Sequence, residues 1–481
     1  MEFCKISAKI KHEVSLMNPY ENIKTQRPTV YGSYNQLNVY QQAAVTDSHK
    51  VTLLNACVGS GKTMVILHKL LYLHLIQHIP LEKIVVMTFT NKAANEIRQR
   101  LKAFGLAGED KVRFIGTFHA IAKVLMENHL PVEKLGYAKG FTVLDEDQHW
   151  KLFMDAVDEE EAILHWGDLD SDLKDIREGF PLISTSYERK LRHFLKIVKQ
   201  RKKQQNLMSF DDLIDNVIRL LKHYKSRGYC KYVLVDEFQD SDESQLEFIK
   251  RLALDKANIF AVGDPNQTIY EWRGSIPEIF EAFAEETGAY RMSLPINYRS
   301  TGAILKAAHP FGDGEITGTR DEGISVNVRK AETEYEDAGY IADRVDSLVK
   351  EGSAYSDIAI FYRKNRTGEV FEEVFREKGI PFEVYVPGKG LELSDEDSVK
   401  LMSLHSSKGL EFKHVFITGV NEGLIPMTDE EGFYSEEEAR LFYVGITRAK
   451  DTLELSWYES PCRSGYYVED KPSRFLEGFG A

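Results

Sequence analysis

Four runs in the first part of the chain are almost continuously apolar: KVTLLNA (50–56), KIVVMTF (83–89), KYVLVDE (231–237) and NIFAVGD (258–264). Runs without polar alternation predict strands buried on both faces, as in a parallel sheet. Between the first two, TMVILHKLLYLHLIQ repeats its apolar positions every three or four residues and predicts a helix. A second series follows residue 294: ISVNVRK, DIAIFYR, FEVYV, VKLMSLHS, HVFITGV and TLELSWY, again separated by helical stretches. Strand–helix alternation twice over predicts two α/β cores. Residues 128–208 are charged and helical in pattern, and read as an insertion with its own fold. Residues 1–35, polar and punctuated by NP and RP, read as an arm or loose extension. The expected organisation is an extension at 1–35, a first core at 36–127 and 209–293, a helical insertion at 128–208 and a second core at 294–481.

Composition adds bounds. The 481 residues are 43% hydrophobic and 28% charged, ordinary for a folded chain. No run is long and apolar enough to span a bilayer, and the first residues lack the apolar stretch of a signal peptide. The four cysteines are scattered, which argues against a zinc site or a disulfide framework and for a reducing, cytoplasmic setting. A net charge of −14 argues weakly against non-specific nucleic-acid binding, because binding depends on local charge in a groove. The basic run KIVKQRKKQQN (196–206) reads first as a solvated helix face.

ACVGSGKT (56–63) ends a predicted strand and opens a predicted helix, the setting a phosphate-binding loop requires. Gly59 and Gly61 allow the tight backbone that points N–H groups at phosphate oxygens. Lys62 can reach the β- and γ-phosphates, and Thr63 can hold Mg²⁺. Ala56 stands where the usual pattern begins with glycine. Cys57 is either a tolerated small residue or, if the helix N-terminus lowers its pKa, a redox-sensitive point. VLVDEFQD (233–240) supplies the acidic partner: Asp236 for the metal, Glu237 to orient or deprotonate water, with Gln239 and Asp240 extending the motif.

With these in place, the chain resembles a superfamily 1 helicase of the UvrD/Rep/PcrA type. LNVYQQAAV (37–45) resembles the Q motif, TFTNKAANEIRQR (88–100) motif Ia and GTFHAIA (116–122) motif Ib. FDDLI (210–214) resembles the segment closing the inserted 1B domain. VGDPNQTIYEWRGS (262–275) resembles motif III, INYRS (296–300) motif IV and LMSLHSSKGLEF (401–412) motif V. EGLIP (422–426) continues motif V, EEEARLFYVGITRAK (436–450) resembles motif VI, and PSRFL (472–476) the closing element. The motifs follow in order over nearly the whole chain.

The resemblance implies two RecA-like P-loop domains with parallel sheets, a helical 1B insertion, and ATP with Mg²⁺ as the nucleotide and metal. It implies a nucleotide set of Gln41 on the adenine edge, Ala56, Gly59, Ser60, Gly61, Lys62 and Thr63 in the loop, Tyr298 on the base and Glu411 on the ribose. Lys62, Asp236, Glu237, Gln267, Arg299 and Arg448 are the implied catalytic group. Arg299 and Arg448 would come from around the cleft between the cores to meet the γ-phosphate, Gln267 would sense it, and Thr63 and Asp236 would hold the metal. Single-stranded DNA would be gripped by Phe89, Asn91, His119, Tyr270, Trp272, Arg273, Ser403 and His405.

One departure concerns the 2B domain, which full-length members insert between motifs IV and V. Only about a hundred residues separate Arg299 from Ser403 here, and the second core needs most of them. The loop VPGKGLELSDEDS (386–398) occupies the place of entry, so 2B is expected to be absent or reduced to that loop. Compact relatives occur among phage-encoded helicases and antiphage systems such as Gabija. Two functions follow: a DNA-stimulated ATPase moving 3′→5′ on single strands, with 3′-tailed duplex as a further substrate, or a nucleotide-gated sensor subunit of a nuclease-containing complex. Pathway, oligomeric state and protein partner, whether a nuclease or a replication or repair protein, stay open at this point.

Overall fold

The computed structural model describes residues 18–106, 114–159, 169, 172–173, 176, 182, 185–224, 229–253, 256–271, 274–276, 278–386, 394, 396–429, 431–459 and 471–479. These fall into two compact units. One lies within Met1–Tyr72, Asp236–Asp242 and Phe260–Ala481, the other within Leu73–Val235 and Glu243–Ile259.

In the first unit, the six apolar runs after residue 294 form one six-stranded sheet. Its order is Asn327–Ala331, Ala449–Tyr458, Phe412–Ile417, Ile358–Tyr362, Val399–Ser403, Phe382–Tyr385. Every pairing is parallel. Successive side chains of a strand point to opposite faces, so Ile358, Ile360 and Tyr362 enter one apolar cluster while Ala359 and Phe361 enter the other. Helices Glu334–Lys350 and Asn365–Lys378 cover the first face. Helices Gly302–Ala308 and Glu436–Ile446 cover the second. Strand Ile358–Tyr362, buried along its whole length, accordingly reads as an unbroken apolar run. Of the loop expected at 386–398, residues 387–393 and 395 lie outside the described residues.

The same unit holds strand Val51–Ala56, parallel to Tyr290–Leu294, with Ala56 opposite Leu294. The phosphate-loop helix, Lys62–Leu75, follows. Packed on that helix are residues 18–35, which the sequence pattern reads as a loose extension. Pro28 opens a helix, Pro28–Asn35, at the position where its missing N–H costs nothing. Tyr20, Val30 and Tyr34 are buried. The Tyr20 hydroxyl donates to the His68 carbonyl at 3.2 Å, and Ser33 Oγ lies 3.0 Å from His68 Nε2. These residues are a cap on the helix.

In the second unit, Ile84–Thr88 runs parallel to Ile115–Thr117 on one side and Tyr232–Val235 on the other. Residues 128–208, expected as a helical insertion, contain helices Glu146–Glu159 and Thr185–Gln204. Their apolar faces meet in a cluster built on Phe153, Val157, Leu191, Phe194 and Val198. Among the described residues, no helix is long and apolar enough to cross a membrane.

Candidate active site

Strand Val51–Ala56 delivers the chain into the loop, and the loop is fixed by backbone. Cys57 N–H donates to Leu294 O at 3.2 Å, Ser60 N–H to Cys57 O at 3.2 Å, and Tyr298 N–H to Gly59 O at 3.0 Å. Gly59 and Gly61 have φ of 65° and 81°, the left-handed region that glycine enters without penalty. At Gly59 a side chain is excluded twice over, because a Cβ would stand 2.7 Å from Asn297 Nδ2 and 2.8 Å from Arg299 Cβ. Lys62 and Thr63 are the first two residues of the helix, where unpaired N–H groups favour an anion. Gln41 is buried, and its amide donates to Ser60 O at 2.9 Å while accepting from Asn38 N–H at 2.9 Å. The residue expected on the adenine edge thus also braces the loop. Tyr298, 45% exposed, offers an open ring, and its hydroxyl accepts from Asn38 Nδ2 at 2.7 Å.

Cys57 does not have the character of a redox point. Burial pushes its thiol up to about 12 and outweighs the pull of Lys62, so its place in the loop is a packing one.

Asp236 and Glu237 follow the strand end Val235. Glu237 is left-handed at φ 48°, ψ 46°, a conformation that costs a non-glycine residue about 1–2 kcal/mol. Its carboxylate is held there by Gln239 Nε2 at 2.6 Å and faces Lys62 Nζ at 3.8 Å. Burial alone would raise this carboxyl, but Lys62, Lys408, Gln239 and Arg448 hold it below the usual carboxylate range. Asp240 has the opposite balance: burial pushes it up to about 6 against the pull of Lys408.

From Glu237 a polar chain runs unbroken to Arg448. Gln239 Oε1 accepts from Asp264 N–H at 3.0 Å, Asp264 Oδ2 accepts from Gln267 Nε2 at 2.7 Å, and Gln267 Oε1 accepts from Arg448 Nη2 at 2.9 Å. Arg448 is buried, and its other guanidinium bonds go to the carbonyls of Val444 and Leu410 and to Thr447 Oγ1. No carboxylate among the described residues lies within ion-pair distance of it. Burial and the neighbouring charge of Arg299 push it down to about 9. A cation kept in this way is short of an anion.

The segments that carry Arg299 and Arg448 are bonded to each other. Arg299 Nη1 donates to Thr447 O at 3.3 Å, Ser300 Oγ to Ala449 O at 2.7 Å and Thr301 N–H to Lys450 O at 3.1 Å. Glu411, expected on a ribose, pairs here with Arg299 at 2.8 Å and Lys450 at 2.7 Å. Arg299 Nε is buried without a hydrogen-bond partner. Three cations, that orphaned donor and a loop closed to side chains together fit a polyphosphate. Among the described residues there is no cluster of three or more His, Cys, Asp or Glu suited to a metal.

Lys408 escaped the sequence reading. Its Nζ pairs with Asp240 at 2.6 Å, bonds Gln267 O, and sits 4.9 Å from the centre of the Tyr270 ring. Its only signal in the sequence is its position in the motif V stretch, because Gln267 and Asp240 lie 141 and 168 residues away.

The expected strand-binding residues fall in several places. Tyr270, Ser403 and His405 lie in the first unit, half-buried, with Ser403 Oγ 2.8 Å from Ser406 Oγ. Phe89 and His119, half-buried, and Asn91, exposed, lie in the second. There His119 meets the exposed Phe210 edge-on at 5.2 Å, an aromatic the sequence reading left unassigned. Trp272 and Arg273 lie outside the described residues.

The UvrD/REP helicase N-terminal domain matches residues 37–288, and the UvrD-like helicase C-terminal domain matches 292–391 and 386–460. A probable DNA helicase II homolog of Mycoplasma capricolum is 32% identical over 376 residues, covering 72% of this chain and 52% of the relative. The ATP-dependent DNA helicase PcrA of Bacillus subtilis is 30% identical over 72% of this chain and 50% of its own length. DNA helicase II of Escherichia coli is 24% identical over 92% of this chain and 87% of the relative. The chain thus spans about half the length of the first two. By these matches and the site geometry, the chain belongs to the UvrD/REP helicase family.

Proposed function

We propose that this chain is an ATP-driven motor on single-stranded DNA, stepping 3′→5′. The observation that carries the reading is the polar chain from Lys62 and Glu237 through Gln239, Asp264 and Gln267 to the buried Arg448. Lys62 binds the terminal phosphates, Glu237 orients the attacking water, and Arg299 and Arg448 neutralise charge on the γ-phosphate oxygens as the bond breaks. Mg²⁺, held by Thr63, Asp236 and the nucleotide, would supply charge neutralisation at the phosphates. Tyr298 stacks on the base and Gln41 reads its edge. Gln267, bonded to Arg448, and Lys408, over Tyr270, carry the loss of the phosphate toward the strand.

Phe89, Asn91, His119, Tyr270, Trp272, Arg273, Ser403 and His405 are assigned to the DNA, with Phe210 added. Each base–aromatic stack contributes about 1–3 kcal/mol with little sequence preference. We further propose the domain boundaries given above, with 2B absent. The alignment to the E. coli relative extends over 636 positions, against a chain of 481 residues, which supports that reading.

The test is steady-state ATP hydrolysis with and without single-stranded DNA. The expected result is stimulation by DNA and loss on Lys62→Ala. Hydrolysis indifferent to both would refute the proposal, and nucleotide binding without turnover would point to the sensor.

A further inference from the structure

A residue outside every motif spans the two arginine-bearing segments. After helix Gly302–Ala308 the chain returns as a short strand, Thr317–Gly318, parallel to Ile296–Asn297. Thr319 N–H donates to Asn297 O at 3.1 Å, which carries Arg320 alongside the arginine segments. There Arg320 Nη1 donates to Arg299 O at 2.7 Å and to Lys450 O at 2.9 Å, while Nη2 binds Asp451 Oδ1 at 2.6 Å. One guanidinium therefore ties the backbone of Arg299 to the backbone two residues beyond Arg448. The connector is pinned a second time beside Gln267. Asn266 Nδ2 donates to Asp313 O at 2.9 Å, and Asp313 N–H donates to Asn266 Oδ1 at 2.9 Å.

We infer that Arg320 is a positioning residue for phosphoryl transfer, setting the spacing of Arg299 and Arg448. The inference rests on the reading of those arginines given above. The physical ground is geometric. The ion pair to Asp451 is about one-third exposed and contributes little energy by itself. The planar fork, however, meets three acceptors at fixed angles, which a lysine ammonium at the end of a flexible stem does not reproduce. Arginines that stabilise transferring phosphate act only when correctly placed, and a displacement of about 1 Å can cost on the order of 100-fold in rate.

The experiment compares Arg320→Met, Arg320→Lys, Asp451→Asn and Arg299→Ala in the full chain. It measures DNA-stimulated kcat and KM for ATP, the affinity for ADP, the affinity for ADP with aluminium fluoride, and the thermal midpoint. The aluminium fluoride complex imitates the transferring phosphoryl group, so its binding responds to arginine placement while that of ADP does not. For Arg320→Met we expect kcat and aluminium fluoride affinity each to fall about ten-fold, with KM, ADP affinity and midpoint near the parent's. Arg320→Lys should recover part of the loss. Asp451→Asn, which keeps the fork, should lose roughly three-fold and provides the test if Arg320→Met does not fold. Unchanged kcat and fluoride affinity in Arg320→Met, with a large loss in Arg299→Ala, would overturn the inference and leave the arginine reading intact. A parallel fall in ADP affinity, midpoint and kcat would also overturn it, as a merely structural effect. Arg299→Ala turning over like the parent would instead remove the reading beneath it.

Discussion

Arg448 and Gln267 face each other at 2.9 Å, the guanidinium nitrogen on the amide oxygen, in a site where both side chains are buried. The arginine is bonded but has no carboxylate within ion-pair distance among the described residues, and in the proposed function it meets a phosphate there, with Gln267 registering its position. That hydrogen bond is one of several contacts between the two matched stretches, 37–288 and 292–460, beside the Lys408–Asp240 ion pair at 2.6 Å and the Tyr298 N–H bond to Gly59 O at 3.0 Å.

Gln267→Glu would put a carboxylate where the amide oxygen is. The ion pair would hold Arg448 away from phosphate, so kcat for ATP should fall at least roughly ten-fold. The thermal midpoint should not rise, because the anion gained by Arg448 is offset by loss of the Nε2 donor to Asp264 Oδ2, which a second carboxylate oxygen would face. Steady-state kinetics and a thermal melt on the same sample check both halves.

Glu237→Gln should separate binding from chemistry. The neutral amide keeps the contact to Gln239 but no longer attracts the water proton. Hydrolysis should drop by about 10²–10⁴-fold while ATP binding is kept or tightened. Single-turnover hydrolysis and equilibrium binding of ATP are the measurements.

Asp240 makes stability depend on pH. Its carboxyl is raised to about 6 by burial, whereas an unfolded aspartate titrates near about 3.9. Between those values the folded chain holds a proton that the unfolded chain has released. The group's contribution is therefore full below the lower value and is lost as pH rises through the higher one. Asp240→Asn removes this dependence. Between pH 5 and 6.5 the variant's melting temperature should gain on the parent's, then run parallel to it above. A difference constant across that range would mean that Asp240 titrates normally.

Cys57, its thiol at about 12, should resist alkylation by iodoacetamide at pH 8 in the folded chain and react after unfolding in urea. Peptide mass spectrometry reads the label at that position.

Much of this was legible in the sequence because it depends on local pattern. Apolar runs without alternation became parallel strands, and the glycines at 59 and 61 took the positive φ that their spacing implied. Contacts made only when distant segments meet were not legible. Lys408 bridges Asp240 and Tyr270, and Arg320 bridges Arg299 and Lys450. In each case the partners share no local period with the residue that joins them. The cap at 18–35 was missed for a related reason. Its buried residues Tyr20, Val30 and Tyr34 are too sparse to make a run, and the cap is held by the contacts of Tyr20 with Tyr34 and with His68 on the helix at 62–75. The environment of Cys57 was also invisible, since a helix N-terminus argues for a lowered pKa and only the packing shows burial to prevail.

The most direct test of coupled hydrolysis and movement is stopped-flow translocation on single-stranded DNA of increasing length, labelled at one end. With ATP, a 5′-end label should give a signal whose delay grows in proportion to length, a 3′-end label should give none, and Lys62→Ala should abolish the delay. A signal independent of length at both ends, from protein that hydrolyses ATP, would contradict the motor.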